Sequence, residues 1–381
     1  MGKGTPTGAV AEHTGSEPAR VAIISSRGIE PVVGFSGWYE FEDMVCRLDR
    51  ADRIDLGRGR DDRRLRLTRR GEQVARKAGA PTKQHLRLAQ TLELSGQYDL
   101  VLAVLTRISD LFLLDQLGDW TKAGRISAVM LTEAWRPSVE DSFGLTDLLA
   151  ELDLVFCSGS EGTNALRDNG LPETHLLWPG VDCDRFAPHL PDDRRIDVYN
   201  PGRRDETTHA SLKGAARDRG WFYLYDSTAA PTTSDVIGHR VSYAELVRRS
   251  RVMIANSAKF DQLDQLRAGR DVPGRHFEAA GAGTVIVGDS PDPRNLELAQ
   301  VDPGRLVQMP SSTDDVGPLV ALLADRDRWA ELSRMARREA LERHDWAYRW
   351  STILGAAGID HLPPLDERIA ALAEEASEPR S

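Results

Sequence analysis

The runs Leu100-Val-Leu-Ala-Val-Leu105, Ile126-Ser-Ala-Val-Met-Leu131 and Leu154-Val-Phe-Cys157 decide the fold class. Each is too short for a core helix, and amphipathic stretches over 109–117 and 144–152 separate them. That alternation predicts a parallel sheet with crossover helices. Upstream, Val21-Ala-Ile-Ile24 runs into Ser25-Ser-Arg-Gly28, a strand ending in a turn at the carboxyl edge of a sheet, where open α/β sheets bind ligands. A helix is expected over 41–48, after a loop carrying Trp38 and Tyr39. A further helix over 158–169 is closed by Gly170 and Pro172.

Downstream lies a polar, proline-punctuated stretch around His189-Leu-Pro-Asp-Asp-Arg-Arg195, suited to a linker. A second alternating series follows, with strands expected over 196–199, 221–225, 252–256, 284–287 and 305–308. Helices are expected between them over 210–217, 243–249, 275–281 and 313–324. The division is therefore a polar tail over 1–20, one Rossmann-like α/β domain over 21–190, a second over 191–356 and a helical tail over 357–381. Two such halves around a linker are expected to face each other across a cleft.

Composition fits a soluble protein: 381 residues, 40% hydrophobic, and a net charge of −10 from 49 basic and 59 acidic side chains. Fibres, disordered chains and disulfide scaffolds are excluded. No stretch approaches the roughly 20 apolar residues of a membrane helix, and Met1 to Arg20 lacks the apolar core of a secretion signal, so a cytoplasmic protein is expected. The acidic balance argues against nucleic acid as a partner. Arg58 to Arg70 holds seven arginines, more often a solvated face but able to meet an acidic acceptor or a membrane surface peripherally. Cys46, Cys157 and Cys183 lie in separate contexts, without metal-knuckle spacing.

Three segments suit the chemistry of a nucleotide diphosphate. Asn200-Pro-Gly-Arg-Arg204 follows a strand: Gly202 permits close backbone approach, and Arg203 and Arg204 offer donor forks for phosphate, unless they pair with Asp205 and Glu206. Gly274-Arg-His-Phe-Glu-Ala-Ala-Gly-Ala-Gly283 places a small-residue helix before a strand. Its amino end and Arg275 can face an anion, Ala279 and Gly281 allow close packing, and Glu278 can accept from a ribose diol. Ser257-Ala-Lys-Phe-Asp261 is a weaker third segment. In the first half, Asp110 and Glu133 follow strands and are candidate general bases for an acceptor hydroxyl, though such carboxylates often only cap helices. Trp38 and Tyr39 could stack on an acceptor or belong to the core. A Walker A loop, a dinucleotide fingerprint, a nucleophile elbow and a paired-histidine metal motif are all missing.

Together these segments resemble the GT-B glycosyltransferases of the group-1, family-4-like class. Trp178-Pro-Gly-Val-Asp-Cys-Asp-Arg-Phe-Ala-Pro188 is similar to that class's Asn-Gly-Val-Asp-x-x-x-Phe-x-Pro connection, with Pro179 at the usual Asn. Arg275-His-Phe-Glu-Ala resembles the donor motif of its CgeB-like branch, and His344-Asp-Trp-Ala-Tyr-Arg349 the terminal His-Ser-Trp-x-x-Arg helix. The resemblance covers residues 150 to 356.

It implies a metal-independent transfer of sugar from a nucleotide-diphosphate donor to a small-molecule, glycan or lipid-linked acceptor, with no further cofactor. Glu278 would hold the ribose and Arg203 or Arg204 the diphosphate. The chain departs from the pattern where the first glutamate of the class's pair is replaced by Arg270, and where the phosphate-binding lysine after Arg203 and Arg204 is replaced by Thr208 or His209. Its resemblance favours a retaining course, an inverting one requiring a base such as Glu133 or Asp110. A nucleotide-sugar epimerase and a degenerate non-catalytic GT-B subunit remain alternatives.

Overall fold

The computed structural model describes residues 9–11, 17–28, 32–56, 74, 94, 97–114, 117, 119–142, 145–171, 173–226, 233, 235–257 and 270–378. The arginine run 58–70 and residues 258–261 lie outside these. The chain forms two compact units. One comprises Met1–Pro31, Glu42–Trp178 and Trp350–Leu365, the other Val32–Phe41, Pro179–Arg349 and Asp366–Ser381.

In the first unit the strands are β1 (Ala9–Ala11), β2 (Val21–Ser25), β3 (Ala51–Asp55), β4 (Tyr98–Leu105), β5 (Gly124–Leu131), β6 (Leu154–Cys157) and β7 (His175–Leu176). They lie in the order β1-β3-β2-β4-β5-β6-β7. All neighbours run parallel except β1, which pairs antiparallel with β3. Strands buried on both faces must be apolar throughout, and every residue from Leu100 to Leu105 is buried. Burying each such Leu or Val contributes about 1.5–3 kcal/mol. Two differences from expectation are informative. Ala9–Ala11, within the segment read as a polar tail, forms an edge strand. The stretch over 109–117 gives a 3-10 turn at Ile108–Asp110 and a short helix at Leu111–Leu114.

The second unit carries β8 (Ile196–Asn200), β9 (Tyr223–Tyr225), β10 (Ser250–Ala255), β11 (Val285–Gly288) and β12 (Val307–Gln308). The order is β12-β11-β10-β8-β9, all parallel. Its core gathers Val198, Val252, Ile254, Val285, Val287, Leu319 and Leu332 around the strands. Trp329 joins them while its indole N–H donates to the Arg251 carbonyl at 2.9 Å, which removes the cost of burying that polar group. The crossover helix Glu206–Arg219 begins where Asp205 accepts from the Thr208 amide at 2.9 Å. It ends at Gly220, whose φ of +68° suits a residue without Cβ. Because all five strands run the same way, the turns after β8, β9, β10 and β11 share one carboxyl edge, and that edge positions the candidate site.

Candidate active site

The turn after β8 is shaped by Gly202, whose φ is +73°. That conformation suits a residue without Cβ, and the Arg275 guanidinium, from the first turn of helix Gly274–Gly281, lies against it. Asp226, just beyond β9, fixes the turn by accepting from the Gly202 amide at 2.9 Å and from the Tyr199 hydroxyl at 3.2 Å. Arg204 donates to the Asp226 carbonyl and to the Gly202 carbonyl, and its guanidinium lies 5.1 Å from the Tyr225 ring centroid. Arg203 is exposed. Asp205 caps its own helix and accepts from Ser312 at 2.6 Å. At the end of β11, Asp289 accepts from the Ser257 amide at 3.2 Å and the Ser311 amide at 2.8 Å, joining the turns after β10 and β12 to the same edge.

Glu278 is held from two sides. Its Oε1 accepts from Arg240 and its Oε2 from the Tyr243 hydroxyl at 2.7 Å, while 14% of its side chain stays exposed. Arg240 and Tyr243 lie one turn apart on helix Val236–Arg248, started by Asp235 accepting from Gly238 at 2.7 Å. The Arg240 side chain is buried and also donates to Glu40, Nε to Oε2 at 3.0 Å and Nη2 to Oε1 at 3.1 Å. Glu40 accepts further from the Asp182 amide at 3.0 Å and the Trp346 indole at 3.1 Å, with Arg185 at 2.9 Å. Burial opposes the charge on Arg240, but the two carboxylates more than offset it and its pKa lies above the usual arginine value. Burial, reinforced by Glu278, pushes the Tyr243 hydroxyl well up, so it remains a hydrogen-bond donor.

Sequence reasoning missed Glu40, Arg240, Tyr243, Tyr199 and Asp226. The partners that build the site stand 24 to 306 positions away, beyond any local spacing rule.

The small residues of the helix pack inward. Ala279 and Gly281 are buried, and a Cβ on Gly281 would approach Val181 and Phe186 at 3.1–3.2 Å. The 178–188 connection also pairs with the 344–349 segment: the Val181 amide donates to the His344 carbonyl at 2.9 Å and the Trp346 amide to the Val181 carbonyl at 3.1 Å. A Cβ on Gly180 would lie 2.8 Å from the Trp346 ring and 2.9 Å from the His344 carbonyl. Thus three segments recognised separately in the sequence are one packed structure.

The first-half candidates have local partners. Asp110 is buried and accepts from the Arg107 amide at 2.9 Å, closing its own 3-10 turn. Half-buried Glu133 accepts from the Trp135 indole at 3.3 Å. Trp38 and Tyr39 are buried; Trp38 packs on Phe41 and Trp346 with ring centroids 6.0 and 5.1 Å apart. Neither ring is left open for stacking, so the acceptor contact expected of them is replaced by a core role.

Residues 206–355 match the family model described as glycosyl transferase-like. Among solved structures, an alpha-glucosyltransferase in complex with UDP superimposes with a TM-score of 0.54 at 11% identity, over 89% of this chain and 99% of that one. An alpha-glucosyltransferase in complex with UDP-glucose and DNA containing an abasic site gives 0.51 at 12% identity, with the same coverage. No curated protein matches the chain in sequence. The fold is GT-B, and the C-terminal half carries a glycosyl transferase-like domain. Among the described residues, no helix is long and apolar enough to cross a membrane.

Proposed function

We propose that the protein transfers a sugar from a nucleotide-diphosphate donor to an acceptor hydroxyl, with the donor held at the carboxyl edge of the second sheet. The observation that carries this reading is the anchoring of Glu278 by Arg240 and Tyr243 on the helix whose first turn brings Arg275 to Gly202. Each anchored carboxylate oxygen retains a second lone pair, and the ribose diol is the ligand for which a fixed, partly exposed acceptor is suited. Arg275, Arg203 and Arg204 supply charge-assisted donors to the diphosphate, and Gly202 lets it approach the backbone. Stabilising the departing diphosphate in this way makes the transfer metal-independent.

A retaining course is the one we favour. Asp110 is buried and committed to the Arg107 amide, which suits it to shaping its turn, and leaves Glu133 as the base an inverting course would use. Related structures bound to UDP or UDP-glucose support a nucleotide-sugar donor. The test is a panel of nucleotide sugars incubated with and without acceptor hydroxyl compounds, read by release of the nucleoside diphosphate and the anomeric configuration of product. Acceptor-dependent release is expected. Conversion of donor alone to an isomeric sugar would make it an epimerase, and inertness of every donor a non-catalytic subunit.

A further inference from the structure

The second sheet has a cavity at its other edge. Arg194, just before β8, donates to the carbonyls of Ser250 at 2.9 Å, Gly283 at 3.2 Å and Ala282 at 2.6 Å, groups that precede or begin the neighbouring strands. It lines a cavity of about 1060 Å³ at the amino ends of the strands, whereas the candidate donor residues stand at the carboxyl ends. One wall is a single face of helix Arg326–Glu339, presenting Ala330, Ser333, Arg334, Arg337 and Arg338. Leu190 and Pro191, from the linker, also line the cavity.

The charge of this cavity is unbalanced. Arg194, Arg334, Arg337 and Arg338 line it against Glu375 and Glu378, and Glu375 is bound to Arg337 at 2.9 Å. Arg334 and Arg338, one turn apart and exposed, have neither hydrogen-bond nor ion-pair partner among the described residues, in a chain of net charge −10. Buried Arg194 is held by carbonyls and the Thr284 hydroxyl, with no carboxylate partner among the described residues. Burial pulls its pKa down to about 10. The Nε atoms of Arg194 and Arg337 are buried without an acceptor among the described residues. A buried cation lacking a counter-charge is costly, and an incoming anion relieves that cost. The volume is that of a small-molecule site, and the apolar wall beside the arginines suits a ligand that is not anionic throughout.

We propose that this cavity is a second binding site, separate from the donor edge, for a small molecule with an oxyanion group on an apolar body. Arg334 and Arg338 hold the oxyanion with Ser333 beside them, and the Leu190 and Pro191 side receives the apolar part. Nothing in it depends on the sugar-transfer reading.

The test uses the full chain and two probes, phenyl phosphate and benzoate, titrated calorimetrically at constant ionic strength. Saturable binding of at least one is expected, and phosphate against carboxylate distinguishes the two oxyanion chemistries. Arg334→Ala/Arg338→Ala, both exposed and expected to fold, should weaken it roughly tenfold or more. Arg203→Ala/Arg275→Ala, at the donor edge, should leave it unchanged. No saturable binding of either probe, binding undiminished by the first pair, or binding lost with the second pair would each overturn the proposal.

Discussion

The candidate acids of the two sheets are held in opposite ways. In the second unit, Glu278 is fixed by Arg240 from 38 positions away, and Arg240 by Glu40 from 200 away. In the first, Asp110 accepts from an amide three residues back and Glu133 from an indole two residues on. Long-range partners survive only while the whole unit is folded, so they pre-set a carboxylate for a ligand. Short-range partners shape a turn and ask little of the rest of the chain. The difference matches the assignment of the donor to the second unit.

The comparison breaks most visibly at Arg240. Arg240→Ala removes the buried cation that Glu40 and Glu278 share, and we expect a loss of about 3–5 kcal/mol in urea unfolding. A loss near that of a surface arginine would show that the network does not hold the unit together. Gly180→Ala should cost about 1–3 kcal/mol, because the added methyl meets the Trp346 ring and the His344 carbonyl. In the first unit, Asp110→Ala should cost only about 1–2 kcal/mol, one charge-assisted hydrogen bond, and leave nucleotide binding unchanged.

The remaining effects are pH-dependent and of opposite sign in the two units. Burial raises the Glu42 carboxyl to about 7, against the pull of Arg27 and the Ser25 hydroxyl. Its contribution to stability is present below about 4.5 and lost as pH rises through about 7. In the second unit, burial lowers His276 to about 3 and His344 to about 4. Their contributions are present above about 6.5 and lost as pH falls through those values. Glu42→Gln should therefore flatten the alkaline loss, and His276→Leu the acid one, in unfolding midpoints taken across the range. A shift of the same sign in both variants would contradict the assignment.

The architecture was largely legible because parallel strands buried on both faces leave continuous apolar runs such as Val21–Ile24 and Val285–Val287. β3 escaped notice for the converse reason. Its Ala51-Asp-Arg-Ile-Asp55 reads as polar, yet Arg53 bonds Asp43 at 2.7 Å and Asp55 at 2.9 Å, and Asp52 accepts from Tyr98 at 2.9 Å. At the proposed site, Gly202, Arg275 and Glu278 can be nominated from the sequence because strand-end glycines and helix starts have a local signature. Arg240 and Glu40 had none, since an arginine in a helix is ordinary until its distant partners are known. Trp38 and Tyr39 are ambiguous for a similar reason: aromatic residues near glycines suit a binding loop as well as a core, and only the burial of both, with Trp38 packed on Phe41 and Trp346, favours the core.

The most direct measurement is calorimetric titration of the protein, Glu278→Gln and Arg275→Ala with UDP, GDP, ADP, TDP and CDP. We predict that one diphosphate binds the unaltered protein, and that each substitution weakens it roughly tenfold or more while the fold is retained. Undiminished affinity in both folded variants would contradict the placement of the donor at this edge.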